Sequence, residues 1–151
     1  MAFVEDHSVT LIIASETRLL MNLRDDKPGI WEPDRWSFIG GHVESNESLM
    51  DTLRREVEEE IGFELELGGP CVLEPVCSYI YEPVGTLTTV FLYEHDYLWQ
   101  EDLSCNEGVE LKWCDVPDIL SGKILSLKTG RGHLVAPDHV EVLRRYLKCL
   151  P

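Results

Sequence analysis

Between Gly40 and Phe63 the chain commits to one local structure, a Gly-Gly turn feeding an amphipathic helix rich in carboxylates. At ~100° per residue, Met50, Leu53, Val57 and Ile61 fall on one stripe, the face that a core covers. Ser45 or Asn46 is placed to cap the start by accepting an orphan backbone N–H. Gly62 is placed to end the helix in the left-handed conformation. Glu44 and Glu47 lie near the N-terminal end, where the helix dipole favours negative charge.

The remaining carboxylates are harder to account for by stability. Glu56, Glu59 and Glu60 occupy an arc of ~100° beside the apolar stripe, at the edge of the buried face where a cleft can open. Glu56 meets Glu59 at i+3 and Glu60 at i+4, and each like-charge pair costs a few tenths of a kcal/mol. Glu59 and Glu60 also sit in the last turn, where the dipole disfavours anions. A hard divalent cation, Mg²⁺ or Mn²⁺, reverses the sign of these interactions because it takes carboxylate oxygens as ligands. The plain alternative is a solvated acidic face. Gly40-Gly41, the spaced Glu47 and the terminal Gly62 tip the balance towards a site. Arg55 lies two turns after Glu47 and one turn before Glu59, and a Glu47–Arg55 pair can brace the helix start.

The segment from Gly41 to Phe63 resembles the signature of the Nudix hydrolases, in its MutT-type form. Gly41, Glu47, Arg55, Glu56, Val57, Glu59, Glu60, Gly62 and Phe63 fill every fixed position without a gap. Weaker similarity runs outward, from Leu19–Arg24 through Trp36–Gly41 to Glu107. Ile39 stands where many members carry proline, a change that removes no ligand. The resemblance implies an α+β fold, an α/β/α sandwich whose mixed β-sheet is flanked by helices. It implies hydrolysis of nucleoside diphosphates linked to another group, dependent on Mg²⁺ or Mn²⁺. Carried over by position, Glu56, Glu59 and Glu60 are metal ligands, joined by the backbone carbonyl of Gly40. Glu56 and Glu59 are also catalytic, with Glu47 and Arg55 as their supporting pair. A later loop glutamate often completes such a site; Glu107 is the choice here and Glu110 the runner-up.

The chemistry fits these charges. A diphosphate repels hydroxide and a bare carboxylate cluster, and metal ions neutralise it and lower the pKa of bound water. Arg24, Lys27 and Arg35 are candidate partners for phosphate oxygens, Arg24 first because it closes an apolar strand pattern. His133 lies in a locally basic loop, and in a sugar-nucleotide branch of the family a loop histidine is the base. Trp31, Trp36, Phe38, Tyr79 and Tyr81 read as core or cleft wall, with no base contact assigned to any of them. His42 reads as structural.

Composition narrows the partners. Against 13 Lys and Arg stand 28 Asp and Glu, for a net charge of −15. That field repels nucleic acid and anionic membranes, and the resemblance implies a small nucleotide as the partner. Five cysteines, none spaced as Cys-x-x-Cys, indicate neither a zinc site nor a disulfide framework. Reduced thiols and the absence of a signal pattern indicate a cytoplasmic protein. No apolar run is long enough to span a bilayer.

Patterning predicts strands over Val9–Ala14, Arg18–Leu23, Trp36–Phe38, His42–Glu44, Val72–Tyr81, Thr86–Tyr93 and Val109–Cys114. Phe63–Leu67 reads as extended. Helices are predicted over Val116–Leu120, with Pro117 in its first turn, and over His139–Leu147. Residues 1–151 read as a single domain, and the strand edges or the C-terminal helix can support a homodimer. The leading expectation is metal-dependent hydrolysis of a phosphoanhydride bond in a small nucleoside diphosphate-linked substrate, a nucleoside triphosphate among them. A sugar-nucleotide hydrolase is the alternative, and a non-catalytic nucleotide-sensing module is a third reading.

Overall fold

A computed structural model describes residues 6–65, 73–95 and 103–150. Its centre is β1 (His7–Ser15), whose alternating side chains enter two separate cores. Val9, Leu11 and Ile13 face one layer together with Ile39 and Phe91. Ile12 and Ala14 face the other, with Met21, Leu23, Trp36 and Phe38. A strand apolar on both faces is one covered on both sides.

Six further strands join β1 in a mixed sheet: β2 (Arg18–Leu23), β3 (Trp36–Ser37), β4 (Ile39–His42), β5 (Pro75–Tyr81), β6 (Thr86–Glu94) and β7 (Glu110–Asp115). The order is β3-β2-β1-β6-β5, with β4 on β1 and β7 on β2. The β1–β6 pair is parallel; the other pairs are antiparallel. Helix α1 (Leu49–Ile61) covers the first face with Leu53, Val57 and Ile61, each fully buried. Each such side chain contributes about 1.5–3 kcal/mol. Helix α2 (Val116–Leu120) and helix α3 (Pro137–Lys148) cover the second through Ile119, Val142 and Leu143. A small hairpin, β8 (Lys123–Leu125) with β9 (Gly132–Leu134), connects the last two helices.

Several boundaries move from the sequence expectation. The fourth strand is Ile39–His42 rather than His42–Glu44, because Ser8–Leu11 of β1 pairs with those four residues. The α1 cap is Ser48, not Ser45 or Asn46. Ser48 Oγ accepts from Asp51 N at 3.1 Å while Asp51 Oδ2 accepts from Ser48 N at 3.0 Å, a reciprocal capping box. Asn46 sits at φ 70 in the turn before it. Gly62 does end the helix in the left-handed region, at φ 63. Of the segment expected to be extended, Phe63–Leu67, residues 63–65 form no strand; its last two residues and the start of the strand expected at Val72 lie outside the described residues. The β8–β9 hairpin was not expected, since its strands hold only three residues each.

Candidate active site

The parallel register of β1 and β6 builds the floor of a cleft. Ser8 and Thr10 share a face with Ile12, and Ser8 lies opposite Thr88. At this end of the sheet the apolar side chains give way to hydroxyls, and Ser8 Oγ is 3.3 Å from Thr88 Oγ1. The cleft has a volume of about 490 Å³. One end is walled by Gly40, Gly41, Glu56, Glu60 and Glu107, the other by Trp31, Phe38, Val84, Asp138 and His139, with Arg24 also in the lining.

At the first end, the Gly-Gly turn is required by close approach. A Cβ on Gly41 would collide with the Glu56 carboxylate, and one on Gly40 with the Val9 carbonyl. Glu60 is 3% exposed and accepts from Gly40 N at 3.2 Å. Burial, reinforced by Glu56, pushes its carboxyl up to about 8. Burial also raises Glu56, opposed by Arg55 and reinforced by Glu59 and Glu107. Arg55 is the local counter-charge. Its Nε donates to Glu47 Oε2 at 2.8 Å, and its Nη1 donates to Glu56 Oε1 at 2.8 Å and reaches Glu59 Oε2 at 3.5 Å. These contacts raise the guanidinium above its ordinary value. They hold Glu47 down at about 2, aided by the backbone N–H of Glu44. The brace expected between Glu47 and Arg55 is therefore formed, and it reaches on to Glu56.

The other expected site residues divide. Glu107 lines the cleft, its backbone carbonyl accepting from Asn22 Nδ2 at 3.0 Å. Glu110 does not: its carboxylate accepts from Ser126 Oγ at 2.8 Å and Lys128 N at 2.9 Å, anchoring the turn after β8. Glu59 is half exposed and leans on Arg55, outside the cleft lining. Arg24 lines the cleft, its Nε donating to Trp31 O at 2.6 Å and its guanidinium stacked on the Trp31 ring. Lys27 and Arg35 must be withdrawn from the cleft wall. Lys27 is turned to Asp25, at 3.7 Å, and Arg35 to Glu32, at 3.2 Å. Arg35 instead borders a separate small cavity beside Arg131 and His133. The His133 side chain is wholly enclosed, its Nδ1 2.9 Å from Asp34 Oδ1 and its Nε2 2.6 Å from Thr129 Oγ1. That placement takes it out of the lining of the main cleft, away from a role as base there.

Trp31 and Phe38, read from sequence as core or cleft wall, do line the cleft, but sequence reasoning missed Asp138 and His139. Helix α3 begins at Pro137, two residues before the expected start, so Asp138 and His139 occupy its first turn. Proline at the first helical position was the available signal. Tyr79 OH donates to Asp138 Oδ1 at 2.6 Å. Phe38 N donates to His139 Nδ1 at 2.8 Å, and burial drives this imidazole down to about 3. The ring is flanked by Trp31 at 5.1 Å and Phe38 at 5.7 Å.

A mixed sheet sandwiched between helices, with a glutamate-bearing helix opening onto its cleft, defines the MutT-like class of hydrolase folds. The NUDIX domain family model matches residues 6–136. The chain belongs to the Nudix family, and its class of reaction is hydrolysis of pyrophosphate bonds. It is 31% identical to the CTP pyrophosphohydrolase of Escherichia coli, over 74% of this chain and 77% of that protein. It is 45% identical to the nucleoside triphosphatase NudI of Escherichia coli over a shorter span, 32% of this chain and 33% of that protein. The fold matches the MutT protein of Methanosarcina mazei with a TM-score of 0.70 and 20% identity, covering 95% of this chain and 93% of the other.

Proposed function

We propose that the cleft hydrolyses a phosphoanhydride bond of a nucleoside triphosphate, with Mg²⁺ or Mn²⁺ held at the glutamate end. The observation that carries this reading is the pair Glu56 and Glu60, two half-buried or buried carboxylates whose pKa values are both raised by burial, that of Glu60 further by Glu56. Among the described residues, no three His, Cys, Asp or Glu side chains converge as the ligands of one ion do. The donor set nevertheless fits a hard cation: oxygen ligands, net negative, and costly to leave uncompensated. Glu56, Glu59 and Glu60 would hold the metal, with Glu107 and the Gly40 carbonyl. Bound there, it would neutralise phosphate charge and acidify water. Arg55 positions Glu56 and Glu59 through the contacts above, and Glu47 fixes Arg55. Arg24, which lines the cleft and whose charge is felt by both Glu60 and His139, would meet phosphate there.

The names of two relatives support a triphosphate substrate: one is a CTP pyrophosphohydrolase and one a nucleoside triphosphatase. Among the described residues, one sheet gathers seven of nine strands, which supports reading the chain as a single domain. Among the described residues no helix is long and apolar enough to cross a membrane. The test is release of phosphate and pyrophosphate from a panel of triphosphates, sugar nucleotides and dinucleotides, with Mg²⁺, Mn²⁺ or EDTA. Glu59→Gln and Glu56→Gln run beside the wild type. Metal-dependent turnover of triphosphates, lost in both variants, is expected. A folded protein that binds nucleotides and turns over none of them is a sensing module instead.

A further inference from the structure

After Arg18, the strand β2 carries a single polar residue, Asn22. Asn22 shares a face with Leu20, on the side that α1 covers, and is 2% exposed. Leucine would extend the apolar face here, whereas a buried amide costs free energy unless both its ends are bonded. One end is bonded: Nδ2 donates to the Glu107 carbonyl at 3.0 Å. The other is not, since among the described residues Oδ1 has no hydrogen-bond partner. A local rule broken in this way marks a position that serves something besides stability.

What Asn22 holds is the loop that carries Glu107. On one side, Ser104 N donates to Ile61 O and Asn106 N to Glu60 O, both at 3.0 Å, so the loop is tied to the last turn of α1. On the other, Val109 N donates to Leu23 O at 2.7 Å. Gly108 turns the chain at φ 89, and a Cβ there would collide with Asn22 Oδ1 and the Leu23 carbonyl. The Glu107 peptide lies between these anchors. Its carbonyl receives the Asn22 amide and, at 3.4 Å, the Cys105 thiol, a weaker donor. The Glu107 charge is felt by both Glu56 and Glu60.

We infer that Asn22 is a positioning residue for the cleft: its amide fixes the Glu107 backbone, so that the Glu107 carboxylate is set in the wall shared with Glu56 and Glu60 before a cation arrives. The inference rests on the metal reading of that end and adds a residue from outside it. Asn22 is absent from the cleft lining, so it acts through Glu107 and not on the cation or the phosphate. Partners that orient a ligand without touching the ion tune metal affinity by about 10- to 100-fold.

Two readouts keep this separate from the metal reading. The first needs no metal: amide hydrogen exchange of the full chain in EDTA. Asn22→Leu, with circular dichroism matching wild type, is expected to lose protection over residues 106–109 while the amides of α1 keep theirs. Unchanged protection there overturns the inference. The second is Mn²⁺ binding, followed by the free-ion signal in electron paramagnetic resonance. Asn22→Leu is expected to weaken binding about tenfold, Glu107→Gln to weaken it as well, and the double variant to bind no more weakly than Glu107→Gln alone. Fully additive losses would mean that Asn22 does not act through Glu107, and would also overturn the inference. Gly108→Ala disturbs the same contact from the loop side and carries both readouts if Asn22→Leu fails to fold; wild-type protection and Mn²⁺ affinity in that variant would count against the inference equally. Lost protection in Asn22→Leu, with Mn²⁺ bound equally by wild type and Glu107→Gln, would remove Glu107 from the metal site and leave Asn22 as the residue that sets the loop.

Discussion

At the α1 end of the cleft several carboxylates crowd around one counter-charge, Arg55, whereas at the α3 end His139 is neutral and Asp138 is hydrogen-bonded to Tyr79. Glu60 is buried beside Glu56 with a Gly40 N–H as its hydrogen-bond donor. His139 is buried equally well, but its ring is uncharged and held by Phe38. A repelling cluster is tolerated where something from outside is to supply the missing charge. A satisfied pair is what a recognition surface needs, because recognition depends on donors and acceptors that do not move.

The sharpest way to break this contrast is to remove charge from the first end. Glu56→Gln should lower kcat/KM by about a thousandfold or more, a loss of ~4 kcal/mol of transition-state stabilisation. Steady-state turnover of the preferred triphosphate measures it, and a variant within tenfold of wild type would remove Glu56 from the machinery.

The second probe is acidity, because the two ends respond in opposite directions. Glu60 has a folded-state value of about 8 against an ordinary 4.5. Between those values the native state holds a proton that the unfolded chain has lost. Stability from this group is therefore fully present below pH ~4.5 and lost as pH rises towards 8. His139 has a folded-state value of about 3 against 6.5. Here the unfolded chain binds the proton first, so stability is present above pH ~6.5 and lost as pH falls towards 3. Urea denaturation of the metal-free protein should show Glu60→Gln gaining on wild type between pH 5 and pH 8, by on the order of 2 kcal/mol. The acid limb due to His139 should persist in both. A difference that does not vary with pH would show that Glu60 is ionised in the fold.

A smaller effect is expected at the second end. Trp31→Ala removes the exposed face of the wall and should raise KM about tenfold, near 1.4 kcal/mol, with kcat little changed. The smallest concerns the helix that carries the glutamates. Ser48→Ala removes one half of the capping box and should cost about 1 kcal/mol in thermal or urea unfolding.

Much of the first end was legible in the sequence, because helical spacing turns a string of residues into a face. Leu53, Val57 and Ile61 had to point inward together, and that placed Glu56 and Glu60 at the edge of the buried surface. Arg55 and Glu47, two turns apart, could be paired by arithmetic alone. The second end was not legible, since it is assembled from three separate segments. Trp31 comes from an irregular loop, Asp138 and His139 from the start of α3, and Tyr79 from the middle of β5. No periodicity links them. Lys27 and Arg35 were misplaced for a related reason: a loop cation is drawn to its nearest carboxylate, here Asp25 and Glu32, and sequence does not say which way that lies. Ser45 and Asn46 lost the cap to Ser48 because the turn before the helix runs a few residues longer than the pattern suggested.

The division of the cleft into a reacting end and a reading end is tested most directly by measuring kcat and KM separately for Glu56→Gln and Trp31→Ala on the same triphosphate with Mg²⁺. The division predicts that the first variant loses kcat and the second raises KM alone. If both variants change the same constant by similar factors, the two ends do not act separately and the assignment of roles along the cleft is wrong.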